Sequence, residues 1–219
     1  MADPHSHDHD HSHGHDHDHD HAPITDPDRP VTEYEVLEQA LRELLIEKGM
    51  ITALDVNQQI DATDSRNPVF GAKIVAKAWA DPVFKEKLKA DPRSTMRELD
   101  IEIGHVAELR VVENTANVHH VVVCTLCSCY PRMILGVPPA WYKSTSYRSR
   151  VVSEPRSVLS EFGLELSNDT EIRVLDSTAD LRFLVIPERP DGTDTMSEDD
   201  LAGLVTRDTM IGTARASAS

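Results

Sequence analysis

The stretch Val118-His119-His120-Val121-Val122-Val123-Cys124-Thr125-Leu126-Cys127-Ser128-Cys129 decides how this chain is read. Its first half is short and rich in β-branched residues, which predicts a strand. Its second half holds every cysteine of the protein, three thiols within six residues. The spacing is C-x-x-C-x-C. For three sulfurs so spaced to reach one point, the chain has to fold back sharply. The motif is therefore a claw at a strand end, not a helix face. An odd, clustered set of thiols does not read as a disulfide framework. It reads as a metal or redox site in a reduced, cytoplasmic protein.

Several chemistries can use such a cluster. Structural zinc wants four ligands, usually as two separated pairs, and this sequence has no second pair. His119 and His120 sit on the entering strand, where alternation sends them to opposite faces. A thioredoxin-type C-x-x-C needs no third cysteine. A trivalent Lewis acid uses the backbone as well. The two amide nitrogens within Cys127-Ser128-Cys129 can lose their protons and close small chelate rings with the neighbouring sulfurs. Three thiolates and two amidates then leave one of six positions open, as catalysis at a metal requires. Zinc or copper binding and a purely structural role stay open beside this reading.

Outward from the claw, the sequence divides into three parts: a tail and linker at 1–30, a helical arm at 31–100, and a metal-binding domain at 101–219. Nine of the 12 histidines lie in Met1–His21, interleaved with Asp, Ser and Gly. With no apolar face to bury, this tail is expected to be disordered. It reads either as a metal-collecting arm or as a solvated tail. Eight Asp against one Arg place −7 of the chain's −16 formal charge in the first thirty residues.

Thr32-Glu33-Tyr34-Glu35 is a capping box. The apolar positions Leu37, Leu41, Leu44 and Leu45 follow at helical spacing, and Gly49 closes the helix. Further helices are predicted from Thr52, over Ala72–Trp79, and after Asp81-Pro82 and Asp91-Pro92. Beyond Asp100 the pattern changes. Leu109–Val112 and Val118–Val123 read as strands around the turn Glu113–Asn117. Glu171–Leu175 and Leu181–Ile186 read as a second pair around Asp176–Asp180. Helices are predicted at Pro155–Phe162, stopped by Gly163, and from Ser197 to about Thr206. The fold class is α+β: a helical arm followed by a mixed, layered α/β domain that carries the claw. No apolar run is long enough for a membrane span, and no basic, apolar leader opens the chain, so neither a spanning nor a secreted protein is expected. The acidic balance makes nucleic acid an unexpected partner.

The claw, followed by Tyr130-Pro131 and by Ile134-Leu135-Gly136-Val137-Pro138-Pro139-Ala140-Trp141-Tyr142-Lys143, resembles the α subunit of cobalt-type nitrile hydratases. The resemblance extends through Tyr147-Arg148-Ser149-Arg150-Val151-Val152, Ile172-Arg173-Val174, Pro187-Glu188-Arg189-Pro190 and Thr206–Gly212. Ala72–Trp79 also fits upstream, so it covers roughly Thr32 to Thr213. The γ subunit of thiocyanate hydrolase is similar and shares the claw. The resemblance implies one Co(III) per chain. Its ligands would be Cys124 as axial thiolate, Cys127 and Cys129 as equatorial sulfurs, and the amide nitrogens of Ser128 and Cys129. Cys127 would be oxidised to sulfinic and Cys129 to sulfenic acid. Thr125 is the residue that marks cobalt rather than iron. Asp176, Asp180 and Arg182 match a set that surrounds the ligands. The implied reaction is hydration of a small nitrile to an amide. The implied partners are a β-type subunit, possibly split into two chains, and a metallochaperone or activator.

Two positions depart from that pattern. Arg132-Met133 stands where nitrile hydratases carry Trp-Pro, and Arg132 offers a fixed positive fork beside the substrate. The thiocyanate hydrolase γ subunit is similar at this point, so a γ-type subunit acting on thiocyanate is the alternative. His105 stands where a Gln is usual. A reading from another class is a non-catalytic cobalt or zinc store built from the His tail and the claw.

Overall fold

The computed structural model describes residues 32–64, 66–103, 107–127 and 129–218. The His/Asp-rich tail, His105 and Ser128 lie outside these residues. The chain divides into two compact units, one ending at Thr52 and one from Ala53 onward. The first contains helix α1 (Glu33–Glu47). Its capping box forms: Thr32 Oγ1 accepts from the Glu35 amide at 3.3 Å, and the Thr32 amide donates to Glu35 Oε2 at 2.8 Å. Gly49 ends it in the left-handed region, with φ 65°. Met50 N–H then reaches Leu45 O and Gly49 N–H reaches Ile46 O, satisfying the last carbonyls. No residue of α1 is buried.

In the second unit, α2 (Ala53–Asp64), α3 (Pro68–Ala80), α4 (Pro82–Ala90) and α5 (Pro92–Arg97) follow in sequence. The last three start alike. Asn67, Asp81 and Asp91 each accept from a first-turn amide, and proline takes the first helical position, where its missing N–H costs nothing. Helix α3 is apolar nearly all round. Accordingly Ile74, Val75 and Ala78 lie in the core. Trp79 donates from Nε1 to Pro187 O at 2.8 Å, and Arg189 returns a bond to Trp79 O at 3.0 Å. These tie α3 to the chain that leaves the last strand.

Four strands, β1 (Glu108–Glu113), β2 (Val118–Val123), β3 (Glu171–Asp176) and β4 (Leu181–Ile186), appear where the sequence predicts them. Their partners differ from the simple reading. The strands on either side of each short turn, β1 with β2 and β3 with β4, do not pair. Instead β1 pairs with β4 and β2 with β3, both parallel. The turns hand the chain from one ribbon to the other. The Asn114 amide adds a last rung to Ile186 O, and Asn117 O opens the next ladder by accepting from Glu171. The segment after β3 works the same way, with Ser177 N–H on Val123 O and Glu108 N–H on Asp180 O. The apolar runs of β2 and β4 explain the choice. They are near-continuous rather than alternating, so both strands are buried and belong in a covered parallel arrangement.

Six helices surround the ribbons: α6 (Arg132–Leu135), α7 (Ala140–Lys143), α8 (Thr145–Ser153), α9 (Pro155–Glu161), α10 (Glu198–Gly203) and α11 (Arg207–Ile211). Helix α9 stops before Gly163 as the sequence predicts. Helix α10 is capped by Ser197 but ends at Gly203 rather than near Thr206. The reason is that Thr206 caps α11, in a box closed by Thr209. The short helices α6, α7 and α11, and α8, carry too few turns for periodicity to reveal them. Among the described residues, no helix is long and apolar enough to cross a membrane.

Candidate metal centre

Strand β2 delivers Cys124 into the core, 1% exposed. The chain then bends, leaving Cys127 exposed and Cys129 half-buried. The three Sγ atoms lie within 4.8 Å of one another. Cys124 Sγ is 3.5 Å from Cys127 Sγ, which is 3.3 Å from Cys129 Sγ. None of the three is in a disulfide. The claw inferred from C-x-x-C-x-C is thus a real convergence of soft donors. Their spacing is that of donors to a single ion. With metal–sulfur bonds of about 2.3 Å, sulfurs at right angles sit about 3.3 Å apart, and sulfurs at the tetrahedral angle about 3.8 Å. The two neighbour separations are short enough for all three sulfurs to bind one ion with only small movements.

The bend is held from several sides. Asp176, at the end of β3, takes the Thr125 amide on Oδ1 at 2.9 Å and the Thr125 hydroxyl on Oδ2 at 2.6 Å. Such charge-assisted bonds are roughly twice as strong as neutral ones. The Cys127 amide donates to Cys124 Sγ at 3.3 Å. Arg148 of α8 donates to Thr125 O at 3.2 Å, Tyr147 to Val122 O at 2.7 Å, and Tyr142 of α7 to Cys129 O at 2.9 Å. Tyr142 is fully buried, with Tyr130 set edge-on against it at 5.1 Å. Burial pushes the Tyr142 and Tyr147 hydroxyls well above their usual range, so both stay protonated donors. The Cys129 thiol is pushed up to about 12, by burial first and then by hydrogen bonds shared with Cys127 and Cys124. Nearby Arg182 pulls the other way. Without a cation, the Cys129 thiol keeps its proton. A bound metal would displace it.

Arg132, on α6, lines a cavity of about 520 Å³ together with Cys127, Cys129 and Arg182. The cavity wall also includes Gln59 and Arg66, which the sequence reading did not single out. Of the residues chosen from sequence, the structure brings together Cys124, Cys127, Cys129, Asp176, Arg132 and Arg182. Asp180 does not join them. Its side chain is exposed and lines a neighbouring groove with Lys89 and Arg93. Tyr142, Tyr147 and Arg148 were missed as holders of the bend. Their only sequence signal is their place shortly after the claw.

A three-thiol claw at the mouth of a buried strand, braced by a carboxylate and two tyrosines, defines a metal–thiolate centre on a mixed α/β scaffold. Comparison with known proteins gives that centre its family. The sequence model described as "Nitrile hydratase, alpha chain" matches residues 32–214, and the chain belongs to this family. The cobalt-containing nitrile hydratase subunit alpha of Pseudonocardia thermophila is 50% identical over 182 residues, 82% of this chain and 89% of that protein. The thiocyanate hydrolase subunit gamma of Thiobacillus thioparus is 46% identical over 195 residues, 84% of this chain and 80% of that protein. Among solved structures, a recombinant thiocyanate hydrolase with partially modified cobalt centres superposes with a TM-score of 0.77 at 42% identity, covering 87% of this chain and 95% of that one.

Proposed function

We propose that this chain is the metal-bearing α subunit of a cobalt nitrile hydratase, converting R–C≡N and water to R–C(=O)NH₂. The observation that carries the reading is the convergence of the Cys124, Cys127 and Cys129 sulfurs within 4.8 Å of one another. One Co(III) per chain would be held by these sulfurs and by the amide nitrogens of Ser128 and Cys129, with Cys127 and Cys129 oxidised to sulfinic and sulfenic acid. Bound there, cobalt supplies a Lewis acid with an open position that polarises the cyano group.

The chain's own residues set the stage for that chemistry. Asp176 and Arg148 hold Thr125, so the bend between Cys124 and Cys127 keeps its shape. Tyr142 holds the carbonyl of Cys129, fixing the far end of the claw. Arg182 stands by Cys129, where oxidised sulfur would carry negative charge. Cytoplasmic location, a β-type partner of one or two chains and an activator that loads cobalt complete the proposal. The exposed mouth of the cavity is where a partner chain would close the site. The relatives similar to this chain are themselves named as subunits.

A second reading is favoured by Arg132. A cationic side chain on the cavity wall suits thiocyanate, the substrate named for a relative 46% identical to this chain. Two measurements on the cobalt-loaded complex with its partner test both. Intact mass and metal analysis should give one cobalt and three added oxygens per chain; one zinc and no oxygen in active material would sink the centre. Turnover should then give amide from nitriles, whereas turnover of thiocyanate alone would establish the second reading.

A further inference from the structure

Of the chain's 12 histidines, nine stand at every second position from His5 to His21. Only Asp, Ser and Gly lie between them, with Asp8, Asp10, Asp16, Asp18 and Asp20 as the carboxylates. The activity proposed above needs none of these residues. A stretch that serves only to stay in water is served by charge, whichever residues carry it. Positions 5–21 hold no Lys, Arg or Glu, and nine of the 17 side chains are imidazole. Imidazole beside carboxylate is instead what divalent first-row metal ions take as ligands.

The folded part of the chain spends histidine differently. His119 and His120 are buried. Both ring nitrogens of His119 are engaged, by Gly212 O and by Asn114, and His120 Nδ1 bonds to Asn114 Oδ1. Among the described residues, the claw is the one group of three or more His, Cys, Asp or Glu side chains placed to share a cation. Its donors are sulfurs. Cys124, the innermost, is 1% exposed, and Cys127 is the one that faces out. The two donor sets are complementary. Soft sulfurs in a closed set hold one ion, whereas separate imidazoles in number offer many interchangeable places.

We propose that residues 5–21 form a second metal site, a collector that binds divalent cobalt as cargo and supplies it to the claw of the same chain. The inference rests on the cobalt reading of the claw for the ion's destination only. At three or four imidazoles to an ion, nine take about two or three ions. Transfer is ligand exchange without a change of oxidation state. Cobalt(II) leaves imidazole nitrogens, whose lone pairs return to water, and is taken by claw sulfurs, whose protons pass to solvent. The histidines have no means of choosing cobalt, because nickel and copper bind imidazole more tightly. Selection is left to the claw. Since collector and claw are parts of one polypeptide, every claw has its own supply, which raises the concentration of cobalt that it meets.

The test uses the full chain, prepared metal-free with its partner, beside a variant in which each histidine from His5 to His21 is changed, His→Asn. Far-UV circular dichroism should be the same for both. Equilibrium dialysis against Co(II) under nitrogen should leave about two or three more cobalt ions per chain on the unaltered protein than on the variant. Proton NMR locates them. Paramagnetic Co(II) should broaden the imidazole signals that the variant lacks, and should still do so when Cys127→Ala has disabled the claw. Both proteins are then loaded in air at a series of buffered Co(II) concentrations, washed with chelator and analysed for retained cobalt. The variant should need at least about tenfold more free cobalt to fill half of its claws. Equal uptake in dialysis would overturn the site. Half-filling of the variant at the same or a lower cobalt concentration would overturn the collector. Cobalt bound in dialysis but retained by neither protein after the wash would sink the centre proposed above and reduce residues 5–21 to a store, so the two failures are told apart.

Discussion

At the scale of single residues, the claw depends on a few side chains that never need to touch substrate. Asp176 is the most exposed to test. It grips both the amide and the hydroxyl of Thr125, and the Thr125 carbonyl is taken by Arg148. Replacing Asp176 by Asn keeps the shape but turns one acceptor oxygen into a donor and removes the charge. Groups that orient metal ligands typically cost about 10- to 100-fold in metal affinity or activity when lost. Asp176→Asn should therefore retain much less cobalt per chain after chelator dialysis, while far-UV circular dichroism stays native. Full cobalt retention would show the grip to be incidental. Tyr142→Phe probes the other end. Cys129 O would lose its donor, and a buried group left unpaired costs about 1–3 kcal/mol. A matching fall in urea-unfolding free energy should follow, together with a shift in the cobalt charge-transfer bands that a remote core Tyr→Phe change would not cause.

At the scale of elements, β2 is fixed by a buried polar knot at its start. His119 Nε2 lies 2.8 Å from Gly212 O and its Nδ1 3.2 Å from Asn114 Nδ2; His120 Nδ1 lies 3.1 Å from Asn114 Oδ1. A carbonyl only accepts and an amide nitrogen only donates. His119 is therefore protonated on Nε2 alone and His120 on Nδ1. A second proton on His119 would face the Asn114 NH₂ group. Burial holds both imidazoles below their ordinary pKa; at His119 the bond to Gly212 O opposes it, Arg215 adds to it and Glu188 opposes least, and at His120 Arg173 and His119 add to it while Glu171 opposes. The unfolded chain then binds more protons below about pH 6.5, so stability present above that pH is lost as pH falls, by up to about 1.4 kcal/mol per pH unit for each histidine. Asp208, raised by burial, acts the opposite way, starting from its lower ordinary value. Unfolding free energies at pH 7.5, 6.5 and 5.5 should decline over this span; a flat profile would show that the knot tolerates charge. Gly212 seals the same knot. At φ 91°, a Cβ there would lie within 1.9 Å of His120 O, so Gly212→Ala should cost several kcal/mol and yield little folded protein.

This knot also shows where the sequence stops being legible. The strand, the claw and the Asn/Asp-Pro helix starts could be read because their signals are local: branching, spacing, caps. Asn114 read only as part of a polar turn, because its work depends on partners at 119, 120 and 186. The crossed parallel pairing, Tyr142 on Cys129 and Arg66 beside α6 are likewise long-range contacts with no local pattern.

At the scale of the whole molecule, the question is what α1 is for. Leu37, Leu41 and Leu44 form a stripe on this helix and stand 65%, 54% and 44% exposed, with Tyr34 in line. The helix has 15 residues, a sound cap at each end and nothing buried. Isolated helices below about 12–15 residues are marginal in water, and most helical stability in proteins comes from packing an apolar face. A capped, amphipathic helix that buries nothing of itself is a segment built to be covered by another chain. For a member of this family the proposed occupant is the β-type partner. Burying one leucine contributes about 1.5–3 kcal/mol. Leu41→Glu removes that and adds a charge in the contact, so it should weaken association by about tenfold or more. The measurement is the dissociation constant of the two subunits by sedimentation, set beside cobalt content. Cobalt per chain should stay near the unaltered value, because the claw lies in the unit that begins at Ala53. Unchanged affinity would leave α1 without the partner assigned to it. A parallel loss of cobalt and affinity would mean that the partner must dock before the metal is loaded.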